Sequence, residues 1–154
     1  MPPLYISPED VLQPMSLQTT VDPVSQGVGT VVSPWFNAAE FQGVVALIQT
    51  GVLGAAATVD AKLRQATDIS GTGAKDVAGK AIAQIVKASG DNKQAVITAR
   101  DWQIDKGSGY VFVGVSITVG GAPSQISAAV FGVNSRSATH RPVPVAASLA
   151  QIVT

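Results

Sequence analysis

The side chains that could do chemistry in this sequence are few. It contains one histidine, His140, and no cysteine. Disulfide frameworks, zinc–thiolate sites and thiol catalysis are therefore excluded. A hydroxyl nucleophile needs a base within reach. No Gly-x-Ser-x-Gly elbow is present, and His140 stands beside Arg141 in a stretch without strand pattern. With so few groups able to act as a base near neutral pH, His140 reads as a surface or interface histidine. The chain is expected not to be an enzyme.

The acidic residues Asp60, Asp68, Asp76, Asp101 and Asp105 are spread along the chain and lack the alternation of a calcium loop. Asp101 and Asp105 flank Trp102, an arrangement that suits either a sugar-binding corner or a turn with an anchoring aromatic. Gly71-Thr72-Gly73 and Gly79-Lys80 invite comparison with a phosphate loop. The spacing does not fit, because five residues separate Gly73 from Gly79 and Ala81 replaces the hydroxyl residue that follows the lysine. This stretch reads as a glycine turn with Lys75 and Asp76 in solvent. No cofactor or metal is expected.

Elements that would carry these residues are mostly strands. The clearest period of two runs through Ala57, Val59, Ala61 and Leu63 on one side, with Thr58, Asp60, Lys62 and Arg64 on the other. That pattern is a half-buried strand. Phe41 to Leu53 is rich in aliphatic residues, and Gly54 lies between the two runs, so they are expected to pair as a hairpin. Gly27 to Val32 and Gln94 to Ala99 are further strands. Tyr110 to Val119 is dense in β-branched and aromatic residues, and is expected to form a hairpin with Gln125 to Val133 across Gly120-Gly121. Turns are expected at residues 68–74, 89–92 and 105–109. Lys80 to Ala88 fits a helical stripe or a strand buried on both faces. Roughly seven strands predict a mainly β fold, a single antiparallel β-sandwich or barrel-like domain.

Length and composition set the frame. The chain has 154 residues, enough for one domain with its own core. It carries 10 basic and 10 acidic residues, and 13% of residues are charged, about half the usual quarter. A nucleic-acid partner would need a basic face; none is expected. The apolar content of 46% argues against disorder. The longest glycine-free apolar stretch, Val44 to Ile48, is far short of a membrane span, and Met1-Pro2-Pro3-Leu4 does not resemble a secretion signal. No membrane partner is expected, and a protein made and used, or assembled, in the cytoplasm fits both observations. Low surface charge suits a subunit that buries much of its surface in an assembly.

Both ends differ from the middle. Prolines stand at 2, 3, 8, 14, 23 and 34, with Leu4, Ile6, Val11, Leu12, Met15 and Leu17 among them. Proline blocks helix and central strand, while the apolar residues suit a surface-bound segment. Residues 1–34 are thus expected to form an extended arm, residues 35–138 the core, and residues 139–154 a second arm carrying Val143, Val145, Leu149 and Ile152. Deletion of residues 1–24 is expected to leave the core folded. A frayed tail is the alternative at the second end. Trp35, Phe36 and Trp102 are large aromatics outside the strands, either interface anchors or lids on the core.

Phe41 to Gly51 and Ala57 to Ile82, with Gln65-Ala66-Thr67-Asp68, the loop Gly71 to Lys75, and the strand Tyr110 to Gly121, resemble small structural proteins of tailed bacteriophages. The resemblance covers about residues 40–133. It implies a virion protein, a capsid decoration (cement) protein that binds the major capsid protein. It implies self-association as well, with a trimer favoured among the closed symmetries. A head–tail connector, a tail subunit or a carbohydrate-binding β-sandwich on the virion are the alternatives.

Overall fold

Strand β5 (Thr58–Ala66) follows the alternation written in its sequence. Val59, Ala61 and Leu63 are at most 2% exposed, and Thr58, Asp60, Lys62 and Arg64 face outward. The computed structural model describes residues 15–136. The other strands are β1 (Met15–Gln26), β2 (Gly29–Val32), β3 (Phe36–Asn37), β4 (Phe41–Thr50), β6 (Lys75–Ala81), β7 (Ile85–Val86), β8 (Gln94–Arg100), β9 (Phe112–Gly120) and β10 (Ser124–Ser135). One short helix, α1, spans Lys87–Gly90.

The strands form two antiparallel sheets packed face to face as a sandwich. Sheet A has the order β1-β10-β4-β8. Sheet B has the order β2-β9-β5-β6, with β3 also on β9 and β7 also on β5. The core lies between them. Val44, Ala46, Ile48, Ile97, Ile126 and Val130 come from sheet A, and Val59, Leu63, Val113, Val115, Ile117 and Val119 from sheet B. Such a layered arrangement is how a sheet buries its apolar face.

Several expectations are corrected. The boundary at residue 34 does not hold, because β1 and β2 belong to the two sheets. β1 pairs with β10 from Met15↔Val133 to Gln26↔Ser124, and its Val21 is 5% exposed. Pro23 is accommodated where the β1 register shifts, as expected for proline at a sheet edge. Residues 1–14 and 137–154 lie outside the described residues.

The two expected hairpins are also absent. β4 pairs with β10 and β8, whereas β5 pairs with β9, β6 and β7. The β4–β5 link is a corner between sheets. Gly51 N–H donates to Gln125 O (2.9 Å), Leu53 N–H to Asp91 Oδ1 (2.9 Å) and Gly54 N–H to Ser124 Oγ (3.1 Å). These donors are satisfied by distant segments, and Leu53 plugs the end of the core at 2% exposure. The β9–β10 link bends at Gly121, whose φ is +77°. An added Cβ there would lie 2.5 Å from Ala56 O, so only glycine fits.

The ambiguous Lys80 to Ala88 is divided among the end of β6, the two-residue β7 and the start of α1. A sheet edge supplies too little neighbouring surface for either regular pattern to persist.

Candidate functional site

Two surfaces stand out, and the first is the outer face of sheet A. Antiparallel partners share a face, so the register groups its outward residues into rows. One row is Met15, Val133, Gly43 and Arg100. The next is Leu17, Phe131, Val45 and Thr98, and a third is Thr20, Ala129, Leu47 and Val96. Arg100 is the one charged side chain in these rows. Met15 is 44% exposed and Val96 59%, while Leu17, Val45, Leu47, Phe131 and Val133 are half-buried. The outer face of sheet B is the opposite. It presents Asp60, Lys62 and Arg64 from β5, and Asp76 bridges Lys62 (2.7 Å) and Arg64 (3.2 Å). Thr30 and Thr118 add a hydroxyl–hydroxyl bond of 2.8 Å.

The second surface is a corner cleft of about 720 Å³ where the open side of the sandwich, between β8 and β6, is closed by the loop after β8. Two 3₁₀ turns, Asp101–Gln103 and Lys106–Ser108, shape this loop. Arg100 N–H donates to Gln103 Oε1 (2.9 Å), which fixes the first turn. Ile104, 4% exposed, anchors the loop in the core. Asp105 N–H donates to Gln65 Oε1 (2.8 Å), tying the loop to β5. Trp102 stands at the rim, 75% exposed, with the Arg100 guanidinium 5.7 Å from its ring centre.

The carboxylates of the cleft are all paired. Lys75 Nζ is 2.6 Å from Asp105 Oδ2 and 3.9 Å from the centre of the Tyr110 ring. Arg136 pairs with Asp101. Asp76 is held by the two β5 cations. The hydrogen bond from Lys75, aided by Ser108, holds the Asp105 carboxyl below its usual range. Lys62 does the same for Asp76. Burial pushes the Lys106 ammonium down, and neighbouring Arg136 adds to this.

The glycine loop at 68–74 is closed upon itself. Asp68 Oδ1 accepts from Ser70 N–H (2.8 Å) and Thr72 N–H (3.1 Å), and the Thr72 bonds are the main cause of its lowered pKa. A carboxylate already occupies the donors that a phosphate would need. No group of three potential metal ligands occurs among the described residues. No helix among them is long and apolar enough to cross a membrane.

The expected interface residues divide. Met15 and Leu17 lie on the outer face of sheet A. Trp102 lies at the cleft. Trp35 is half-buried, and its indole fills the space beside Gly71 and Gly114. Phe36 is corrected to a core residue, 1% exposed, with its ring edge-on to Phe41 at 6.2 Å. Leu4, Ile6, Val11, Leu12, His140, Val143, Val145, Leu149 and Ile152 lie outside the described residues.

Val45, Leu47, Val96, Phe131 and Val133 were not singled out from the sequence. A signal for two of them was present. Val44-Val45-Ala46-Leu47-Ile48 is apolar without alternation, the pattern of a strand covered on both faces. No protein-family model matches this chain, and no curated protein matches it.

Proposed function

We propose that this chain is a non-catalytic structural subunit of a phage-type virion, a cement protein that lays the outer face of sheet A against the major capsid protein. The observation that carries the reading is the apolar face spanning all four strands of that sheet. Solvated antiparallel sheets alternate apolar and polar residues, as β5 does. Here β4 is apolar on both sides, yet among the described residues only its inner side is covered. Large exposed apolar patches mark interaction sites. A face with one charge in three adjacent rows, followed by the uncharged row Ser127, Gln49 and Gln94, suits an uncharged protein surface rather than nucleic acid or a charged ligand. Burial of this face contributes roughly 25 cal/mol per Å² before ordering costs. The resemblance of residues 40–133 to phage structural proteins supports the choice of a shell as partner. Copies of the chain would associate with closed symmetry, as a trimer.

The test uses Val96→Lys combined with Leu47→Lys, which place two charges in the middle of the face. Both side chains point away from the core, so the variant is expected to stay folded by circular dichroism. Its occupancy on purified shells is expected to fall at least about tenfold, since charge buried without a partner is costly. Unchanged occupancy by a folded variant would overturn the docking face. Electron microscopy of decorated particles separates the roles. Copies over the whole shell support cement, and a ring at one vertex supports a connector or tail subunit.

A further inference from the structure

The corner cleft adjoins the docking face at Arg100 but is lined by other residues. A tryptophan that is 75% exposed at the mouth of a polar hollow gains little from its immediate neighbours. Large apolar surface left in water is unfavourable by roughly 25 cal/mol per Å². Yet this indole is held rather than loose. The Arg100–Gln103 bond fixes its turn, Ile104 two residues on is buried in the core, and the Arg100 guanidinium lies 5.7 Å from the ring centre. A fixed, exposed aromatic ring above polar groups is a stacking platform.

The charges of the cleft narrow the ligand. Asp76, Asp101 and Asp105 line it together with Lys75 and Lys106. Each carboxylate has its cation: Lys62 and Arg64 for Asp76, Arg136 for Asp101, Lys75 for Asp105. Lys106 also lines the cleft, desolvated beside Arg136 and, among the described residues, without a salt bridge of its own. Every carboxylate is thus already held, and one ammonium stays available to a ligand. The other polar groups are contacts for hydroxyls. Carboxylate oxygens accept from hydroxyls, while Gln103 and Lys106 donate to them. A pyranose has this complementarity, with an apolar C–H face for the indole and a ring of hydroxyls for the rest. We infer that this cleft binds a saccharide, stacked on Trp102 and hydrogen-bonded to the paired carboxylates, Gln103 and Lys106.

A flat protein partner is the less fitting occupant, because Trp102 borders a concavity lined by ionic pairs. The apolar surface suited to protein contact lies on sheet A.

The full chain is tested on an array of oligosaccharides built from glucose, galactose, mannose and N-acetylglucosamine, with glucuronate-containing ones beside them. Positives are followed by tryptophan fluorescence titration. Binding of at least one glycan is expected, with affinity reduced at least about tenfold in Trp102→Ala and several-fold in Gln103→Ala. The fluorescence change is expected to persist in Trp35→Phe and vanish in Trp102→Phe. Trp102 is exposed, so its variants test binding rather than folding. Absence of binding to any of these glycans at millimolar concentration, or binding unchanged in Trp102→Ala, would overturn the inference. So would a Trp102→Ala variant that binds glycans normally but loses the shell. The shell-occupancy assay on Val96→Lys/Leu47→Lys is read separately, so the two proposals stand or fall independently.

Discussion

Gly71 and Trp35 meet closely in an exposed loop. Gly71 has φ +83°, and an added Cβ would lie 2.4 Å from Trp35 Nε1. Strain and overlap therefore act together in Gly71→Ala. The expected cost is about 1–3 kcal/mol, read as a fall of several degrees in Tm. An unchanged Tm would mean that the indole does not pack there. Single aromatics were the least legible features of the sequence. Phe36 and Trp102 both read as interface or lid, yet Phe36 is buried at 1% and Trp102 is exposed at 75%. Their difference arises from distant partners. Phe36 reaches Phe41 from a two-residue strand on β9, whereas Trp102 is lifted out by its 3₁₀ turn. Local residue type encodes neither arrangement.

Strands were more legible than their pairing. β5 was readable because a period of two reports directly on a half-buried strand. β8, β9 and β10 were readable from β-branched density between turns. Hairpins were misassigned because glycine between two strands marks a bend without saying whether the chain stays in its sheet. At Gly54 and Gly121 it changes sheet. The first-arm boundary failed for a related reason. Prolines at 14, 23 and 34 suggested a segment outside the fold, but an edge strand tolerates proline at a register shift. This makes a deletion series informative. Removal of residues 1–14 is expected to leave a cooperative unfolding transition, since every described strand remains. Removal of residues 1–24, earlier expected to spare the core, now takes most of β1. That deletion exposes Ile126, Ala128 and Val130 along β10 and is expected to lower Tm sharply or abolish folding. A cooperative, unshifted transition for the longer deletion would show β1 to be dispensable.

The acidic side chains with lowered pKa are distributed over the whole molecule. Asp68 closes the 68–74 loop, Asp76 bridges β6 to β5, Asp91 holds the β4–β5 corner through Leu53 N–H and Lys87, and Asp105 ties the cleft loop to Lys75. A folded-state pKa below the unfolded value of about 3.9 contributes stability at higher pH. That contribution is complete above the unfolded pKa and disappears as pH falls through the folded one. Tm is thus expected to be level from pH 7 to about 5 and to decline below about pH 4. These groups are solvent-accessible, so the decline is shallow and weakens with added salt. A Tm that stays level to pH 2.5 would show that the pairs do not couple to folding.

The strand order has a consequence for synthesis on the ribosome. β10 is the last strand made among the described elements, and it lies between β1 and β4, one of the two interior positions of sheet A. Until Ser124–Ser135 has left the exit tunnel, β1, one of the first strands made, has no neighbour in its sheet. β4 meanwhile holds only β8. Sheet B can assemble earlier, because β2, β5, β6 and β9 all precede Gly121. The nascent chain therefore carries a finished sheet with one apolar side open, and a single late insertion closes the sandwich.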